Sequence, residues 1–310
     1  MSEKVLRLNE GEVWTALEAI DPVGVLAEEL IDRTVGNETP PAGRLSEWTD
    51  ARALTNGSEL MVLDHPGTGV RCLLPVASLR MFHAAALAAL AARELLVRGG
   101  VTVAMLGASR ATHPQLAVIA RHVPDISHVA VRLAAPTPST VPVRLTEQLE
   151  LSGIRLSLVS TVAETVFGAN LVVTADDGSP PQDMYGLRAG ELARGTVIVN
   201  TTGRDLPDEL VDQVDELYVD DLSLLAANEE RYFVSAHRAA TANGFGDLGH
   251  PGPRIVADLG QLLSGRHHAR EHVGDVVLVE LLGARTPNVR LATRIQQAAQ
   301  RAGLGSLVEL

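Results

Sequence analysis

The segment VTVAMLGASRATHPQLAVIA, residues 101–120, constrains the fold more than any other. A short apolar run stops at Gly107, and apolar residues resume with helical spacing after His113. Strand, glycine turn and helix in that order open a βαβ unit of the kind that can receive the diphosphate of a dinucleotide. The turn reads Gly107-Ala108-Ser109-Arg110-Ala111-Thr112, so a GxGxxG fingerprint meets Ser at its second glycine and Thr at its third. A side chain at the second position obstructs close backbone approach to a diphosphate. The layout speaks for a fold more strongly than for a ligand.

Downstream, apolar strands alternate with amphipathic helices, which requires a parallel sheet with crossover helices. Strands are predicted at 101–106, 128–133, 156–159, 169–174, 196–200 and 216–219, and helices at 113–121, 145–152, 161–167, 185–192 and 207–213. Residues 235–250 are polar and glycine-rich, 255–263 read as an amphipathic helix, 276–282 as a final strand and 289–302 as a closing helix. The first hundred residues are mixed. Helices are predicted at 12–20 and 22–32, broken at Asp21-Pro22, and a hairpin at 59–63 and 70–74. An alanine-rich helix at 79–97, apolar on nearly all sides and closed by Gly99-Gly100, is expected to be buried or to face a second subunit. The fold class is therefore α/β: a doubly wound, Rossmann-type parallel sheet with a second, α+β portion.

Composition removes several chemistries. Lys4 is the only lysine, and its place near a terminus expected to fray argues against Schiff-base and pyridoxal-phosphate catalysis; no GKS or GKT occurs for a phosphate loop. Cys72 is the only cysteine, so no disulfide can form within the chain and a cysteine-based metal site is implausible. His268 and His272 have i, i+4 spacing in HHAREH but no evident third ligand, so no metal is expected. Ser109 lacks the second glycine of a nucleophile elbow. A net charge of -12 argues against nucleic-acid and anionic-membrane partners. No apolar segment reads as a bilayer span and the start does not read as a signal peptide, so a cytoplasmic location is expected.

Several ordered blocks resemble the ornithine cyclodeaminase and mu-crystallin family of NAD(P)-dependent enzymes acting on amino and imino acids. They are SLRMFHAAALAALAARELL, VAMLGASRATHPQL, GANLVVTADDGSPP, LARGTVIVNTTGRDLPDELVDQVDELYVDD and GDVVLVELLGARTPNVRLATRIQQAAQRAGLGSLVEL, which together span nearly the whole chain from Leu60. Within the family, RDLPDEL followed by YVDDLSLLAAN is most similar to the branch that makes 2,3-diaminopropionate. The resemblance implies a substrate and dimerisation domain at 1–98, a dinucleotide-binding domain at 99–272, a segment at 273–310 returning to the first domain, and a homodimer. It places Arg80 at the arginine that holds the substrate carboxylate, a task suited to a bidentate guanidinium. It places Asp205 at the catalytic aspartate, which would handle the substrate amine or relay a proton to water. Taken alone, Arg80 reads as a solvated helix-entry residue and Asp205 as a cap or loop residue.

The departures are equally informative. The family's lysine before the Arg helix is missing, and Arg44 or Arg52 in the corresponding stretch cannot act as a base. His83 could supply acid-base function in its place, or simply pack within its helix. The second strand ends Val131-Arg132-Leu133-Ala134, without the carboxylate that would bind the adenosine ribose of NAD. Arg110 and Arg132 could instead face the 2'-phosphate of NADP, or Arg132 could point to solvent. Gly107, Ser109, Arg110 and Ala111 in the turn and Thr174, Asn200, Thr201 and Gly203 at strand ends complete the expected nucleotide positions. Two functions follow: an NAD(P)-dependent oxidoreductase acting on an amino acid, an N-substituted amino acid or an imine, or a relative that lost hydride transfer and binds a ligand or partner or works without cofactor.

Overall fold

Chain breaks read from sequence carry explicit caps. Asn9 and Glu12 form a capping box that starts α1 (Glu10–Glu18). The Asp21 side chain accepts the Gly24 amide at 3.0 Å to start α2 (Pro22–Val35), where Pro22 sacrifices no helical hydrogen bond. Gly36 ends α2 at φ 75°, a conformation costly for any residue with a Cβ. The computed structural model describes residues 4–36, 44–47, 59–65, 70–107, 112–132, 141–175, 187–242, 254–284 and 286–309. They form two units, residues 1–83 with 285–310, and residues 84–284.

The first unit is built on a five-stranded mixed sheet. Its strands are β1 (Lys4–Arg7), β2 (Arg44–Glu47), β3 (Leu60–His65), β4 (Val70–Pro75) and β13 (Ser306–Glu309), in the order β13-β1-β4-β3-β2. The expected hairpin is the antiparallel pair β3 and β4, while β1, β2 and β13 are additional strands. Lys4 is not frayed: it opens β1, opposite Glu309 of β13. Helix α10 (Val289–Arg301) packs on α1 and α2, burying Leu291, Ala292, Ile295, Ala298 and Ala299, and Asn288 and Arg290 tie it to Glu29 and Asp32 of α2 at 2.9 Å each. Helix α3 (Val76–Leu95) follows β4 directly, and its residues from Ala84 onward belong to the second unit. By length and composition it could cross a membrane, contrary to the sequence reading; 78% of that stretch is buried, as in the core helix of a folded domain.

The second unit contains β5 (Val101–Leu106), α4 (Thr112–His122), β6 (Ile126–Arg132), α5 (Val143–Leu151), β7 (Arg155–Val159), α6 (Val162–Val166) and β8 (Leu171–Thr174). Next come β9 (Val197–Asn200), α7 (Asp208–Val211), β10 (Glu216–Val219), α8 (Tyr232–Ala242), β11 (Ile255–Asp258), α9 (Leu259–Leu263) and β12 (Val277–Glu280). Eight parallel strands are ordered β11-β10-β12-β9-β8-β5-β6-β7. Every residue of β8, β9, β10 and β12 is buried, as a parallel sheet covered on both faces demands. The strand order reverses between β5 and β8, and ligands of doubly wound sheets bind beyond the carboxyl ends of strands at such a point.

Four local expectations are corrected. The expected helix at 255–263 is strand β11 followed by the short helix α9, because Asp258 caps the latter by accepting the Gln261 amide at 2.7 Å. The segment read as polar from 235 begins inside α8, which buries Phe233 and Val234. Of the helix expected at 185–192, residues 189–191 form one 3-10 turn, and 185–186 lie outside the described residues. The strand expected at 276–282 as the last is β12, which lies between β9 and β10 rather than in a segment returning to the first unit; the last strand is β13.

Candidate functional site

Register sets the chemistry at the carboxyl edge of the large sheet. Thr174, Asn200 and Glu280 end β8, β9 and β12 in one row, Thr174 opposite Asn200 and Asn200 opposite Glu280. Thr174 Oγ1 donates to Asn200 Oδ1 at 2.9 Å, and Asn200 Nδ2 donates to both Glu280 oxygens at 3.0 and 2.9 Å. Asn200 also shapes the loop that follows it. Its Nδ2 donates to the Arg204 carbonyl at 2.7 Å, and its Oδ1 accepts the Thr202 hydroxyl at 2.8 Å. Gly203, at φ 65°, lets this tight loop turn. The loop delivers Asp205.

Arg231, just before α8, closes the network. Its Nε donates to Asp205 Oδ1 at 2.8 Å and its Nη2 to Glu280 Oε2 at 2.9 Å and the Arg204 carbonyl at 2.8 Å. The side chains of Arg231 and Glu280 are 6% and 1% exposed, whereas that of Asp205 is 39% exposed. Burial pushes the Glu280 carboxyl up to about 7, with the Arg231 guanidinium pulling the other way. Beside it, just past β10, Asp220 accepts the Leu282 and Gly283 amides at 2.8 and 2.7 Å, and burial raises it to about 6. A chain of buried donors and acceptors thus ends in one accessible carboxylate.

The expected nucleotide residues divide into three groups. Gly107 sits at the switch point with φ 122°, where a Cβ would come within 2.6 Å of the Ala175 carbonyl, and its own carbonyl accepts the Thr112 hydroxyl. Ser109, Arg110 and Ala111 lie outside the described residues, and Arg132 is partly buried at the end of β6. Thr174, Asn200 and Thr201 are buried and bonded to one another or to neighbouring chain; Thr201 Oγ1 donates to the Thr174 carbonyl at 2.5 Å and accepts from Gln115 Nε2 at 2.6 Å. Their polar atoms shape the edge of the sheet.

In the first unit, Arg80 is exposed on α3, at 4.0 Å from Glu59. His83 is buried, and its Nδ1 donates to the Thr286 carbonyl at 2.8 Å, so this histidine packs as well as carrying a titratable ring. Arg44 opens β2, and Arg52 lies outside the described residues. His268 and His272 are not helical, so their spacing places them on no common face, and among the described residues no group of three potential ligands could hold a metal ion. A cavity of about 530 Å³ lies at the opposite, amino-end side of the sheet, by Arg194, Asp215 and Asp275, and contains none of the expected residues.

Sequence reasoning missed Arg231 and Glu280. Glu280 carried a signal, a charge inside the apolar run VVLVELLG, since an acid in a buried parallel strand must find a partner. Arg231 carried none, because only the fold brings it to Asp205.

No curated protein matches the chain. Among solved structures it is similar to CmnK, with 20% identity, TM-score 0.73, and 100% of this chain and 99% of that one covered. It is also similar to the Thermococcus litoralis Δ1-pyrroline-2-carboxylate reductase in complex with NADH and L-proline, with 16% identity, TM-score 0.69, and 98% and 100% covered. A third is an archaeal alanine dehydrogenase dimer with bound NAD, at 17% identity, TM-score 0.66 and 99% coverage of each chain. These likenesses are of fold. The family model for ornithine cyclodeaminase/mu-crystallin matches residues 46–303, so the chain belongs to the ornithine cyclodeaminase/mu-crystallin family.

Proposed function

We propose that this protein is an NAD(P)-dependent oxidoreductase acting on an amino acid, an N-substituted amino acid or the corresponding imine. The observation that carries this reading is Asp205, a part-exposed carboxylate held by a buried polar network at the carboxyl edge of a doubly wound sheet. Structures of similar fold support it, since they were solved with NADH and L-proline and with NAD.

The residues fit a dinucleotide at the switch point. Gly107 has the positive φ and the backbone crowding that a first turn glycine requires, and the end of β6 carries Arg132 where NAD enzymes carry a carboxylate, which favours a phosphorylated ribose. A nicotinamide bound there would accept or supply the hydride at the substrate α-carbon. Asp205 would bind the substrate ammonium and take up or return its proton. In the same reading Arg80 holds the substrate carboxylate through its guanidinium fork. We further propose a homodimer, for which light scattering is the test; a monomer would remove that part.

Titration with NADH and NADPH, followed by fluorescence or thermal shift, tests the proposal. Binding of one or both is expected, and the ratio of affinities tells NAD from NADP. No response to either sinks the oxidoreductase reading. In an active preparation, Asp205→Asn should reduce turnover by roughly 100-fold or more while leaving dinucleotide affinity unchanged. Retained turnover would remove Asp205 from the mechanism.

One feature favours the second reading, a ligand-binding relative without hydride transfer. The only lysine, Lys4, is engaged in the five-stranded sheet, and arginine does not replace a lysine in proton transfer. A dinucleotide that binds without supporting turnover of any amino acid or imine would establish that alternative.

A further inference from the structure

The Asp205 carboxylate is held by one oxygen only. Oδ1 accepts from Arg231 Nε at 2.8 Å and from the Tyr232 amide at 3.2 Å. Oδ2 has no hydrogen-bond partner among the described residues, although the side chain is 39% exposed. Arg231 in turn has little freedom. Its Nη2 is shared between Glu280 and the Arg204 carbonyl, and its guanidinium lies 5.1 Å from the centre of the Phe233 ring. Glu280 is itself anchored at both oxygens by Asn200.

We propose that Arg231 and Glu280 are positioning residues for Asp205: Glu280, anchored by Asn200, fixes the guanidinium of Arg231, which turns Asp205 so that Oδ2 alone is offered to the substrate nitrogen. The link to turnover rests on the oxidoreductase reading above. The geometry of the hold does not.

Two arguments support it. The first is shape. Asp205 is met by Nε and Glu280 by Nη2 of one planar group, so two acceptors are served in fixed relative directions. A lysine ammonium donates from a single atom on a flexible stem and does not fix the two acceptors in these directions. The second is charge. Arg231, the cation on Asp205, is shared with the buried Glu280, and Oδ2 is the oxygen of Asp205 that it does not reach. An acidic oxygen left in that position suits a donor that carries positive charge, such as a protonated amine. Burial opposes the Glu280 charge, and the partnership with Arg231 offsets that opposition.

Glu280→Gln and Arg231→Lys separate the two roles. Both variants are expected to fold by circular dichroism and to bind dinucleotide within twofold of the parent, while kcat for an amine substrate falls at least tenfold and KM for the dinucleotide does not move. Full kcat in either folded variant overturns the proposal. Because either variant can fail to fold, the parent protein supplies an independent measurement. Crystals soaked with a panel of L-amino acids, including L-proline and L-ornithine, should place the ligand nitrogen within hydrogen-bond distance of Oδ2 with Arg231 still on Oδ1. A nitrogen on Oδ1, a displaced Arg231, or no amino acid at Oδ2 overturns it. A protein that binds neither dinucleotide but holds an amine at Oδ2 would refute the oxidoreductase reading and leave this inference standing.

Discussion

Gly107 shows how one residue can bind fold and function together. With φ 122° and a backbone carbonyl 2.6 Å from where its Cβ would be, it tolerates no side chain without movement of Ala175, whose own amide is bonded to Leu106 at 2.7 Å. Gly107→Ala should cost roughly 1–3 kcal/mol in urea unfolding and weaken dinucleotide binding more than tenfold. Asp220 makes a different kind of prediction. Burial raises it from 3.8 to about 6, so the folded state holds the proton more tightly than the unfolded chain does. Its contribution is therefore fully present below pH 3.8 and is lost as pH rises through 6, a difference of about 3 kcal/mol. The difference in unfolding free energy between the parent and Asp220→Asn, measured at intervals across that window, should change by this amount from its acid to its alkaline end. Parallel curves would show that Asp220 is ionised throughout. Cys72 is buried and its thiol is pushed up to about 12, so it should react with a thiol reagent only after denaturant is added.

Caps decide where elements begin more reliably than apolar spacing does. Asp258 ends β11 and starts α9, and its second oxygen also receives the Leu222 amide at 3.3 Å. Asp258→Ala should therefore cost about 1–2 kcal/mol, read as a lowered midpoint in thermal unfolding. The same segment shows why sequence misleads here. Ile255, Leu259 and Leu262 recur at helical intervals, yet the first lies on a strand and the others on a helix, so two short elements in series imitate one longer helix. By contrast β5 and β10 were legible to the residue, because an apolar run bounded by a glycine or an acid has few other readings. Strands β1, β2 and β13, four residues each, carry no such bounds, and partners distant in sequence supply their pairing. The site divides in the same way. Thr174 and Asn200 were expected from the rule that ligand residues gather where parallel strands end, whereas Asp205 came from the family resemblance and, read alone, looks like a cap or loop residue. Arg231 reaches Asp205 across 26 residues of sequence, and no local pattern encodes that approach.

At the scale of the whole chain, residues 84–284 form one continuous unit, while the first unit is assembled from residues 1–83 and 285–310. The continuous unit contains all eight parallel strands and their core, so a fragment of residues 84–284 should fold alone, with cooperative unfolding by circular dichroism. Residues 1–83 alone lack α10 and β13 and should not. A folded 1–83 fragment would show that the two-part assembly is dispensable. The pairing of Lys4 with Glu309 and of Arg7 with Ser306 carries a topological consequence. Strands that run antiparallel as neighbours bring Lys4 and Glu309 within about 5 Å, the reach of a tight turn. Joining them through a short linker would complete a hairpin and close the polypeptide into a ring, and new ends opened at the exposed Gly99-Gly100 link would give a circular permutant with the same two sheets.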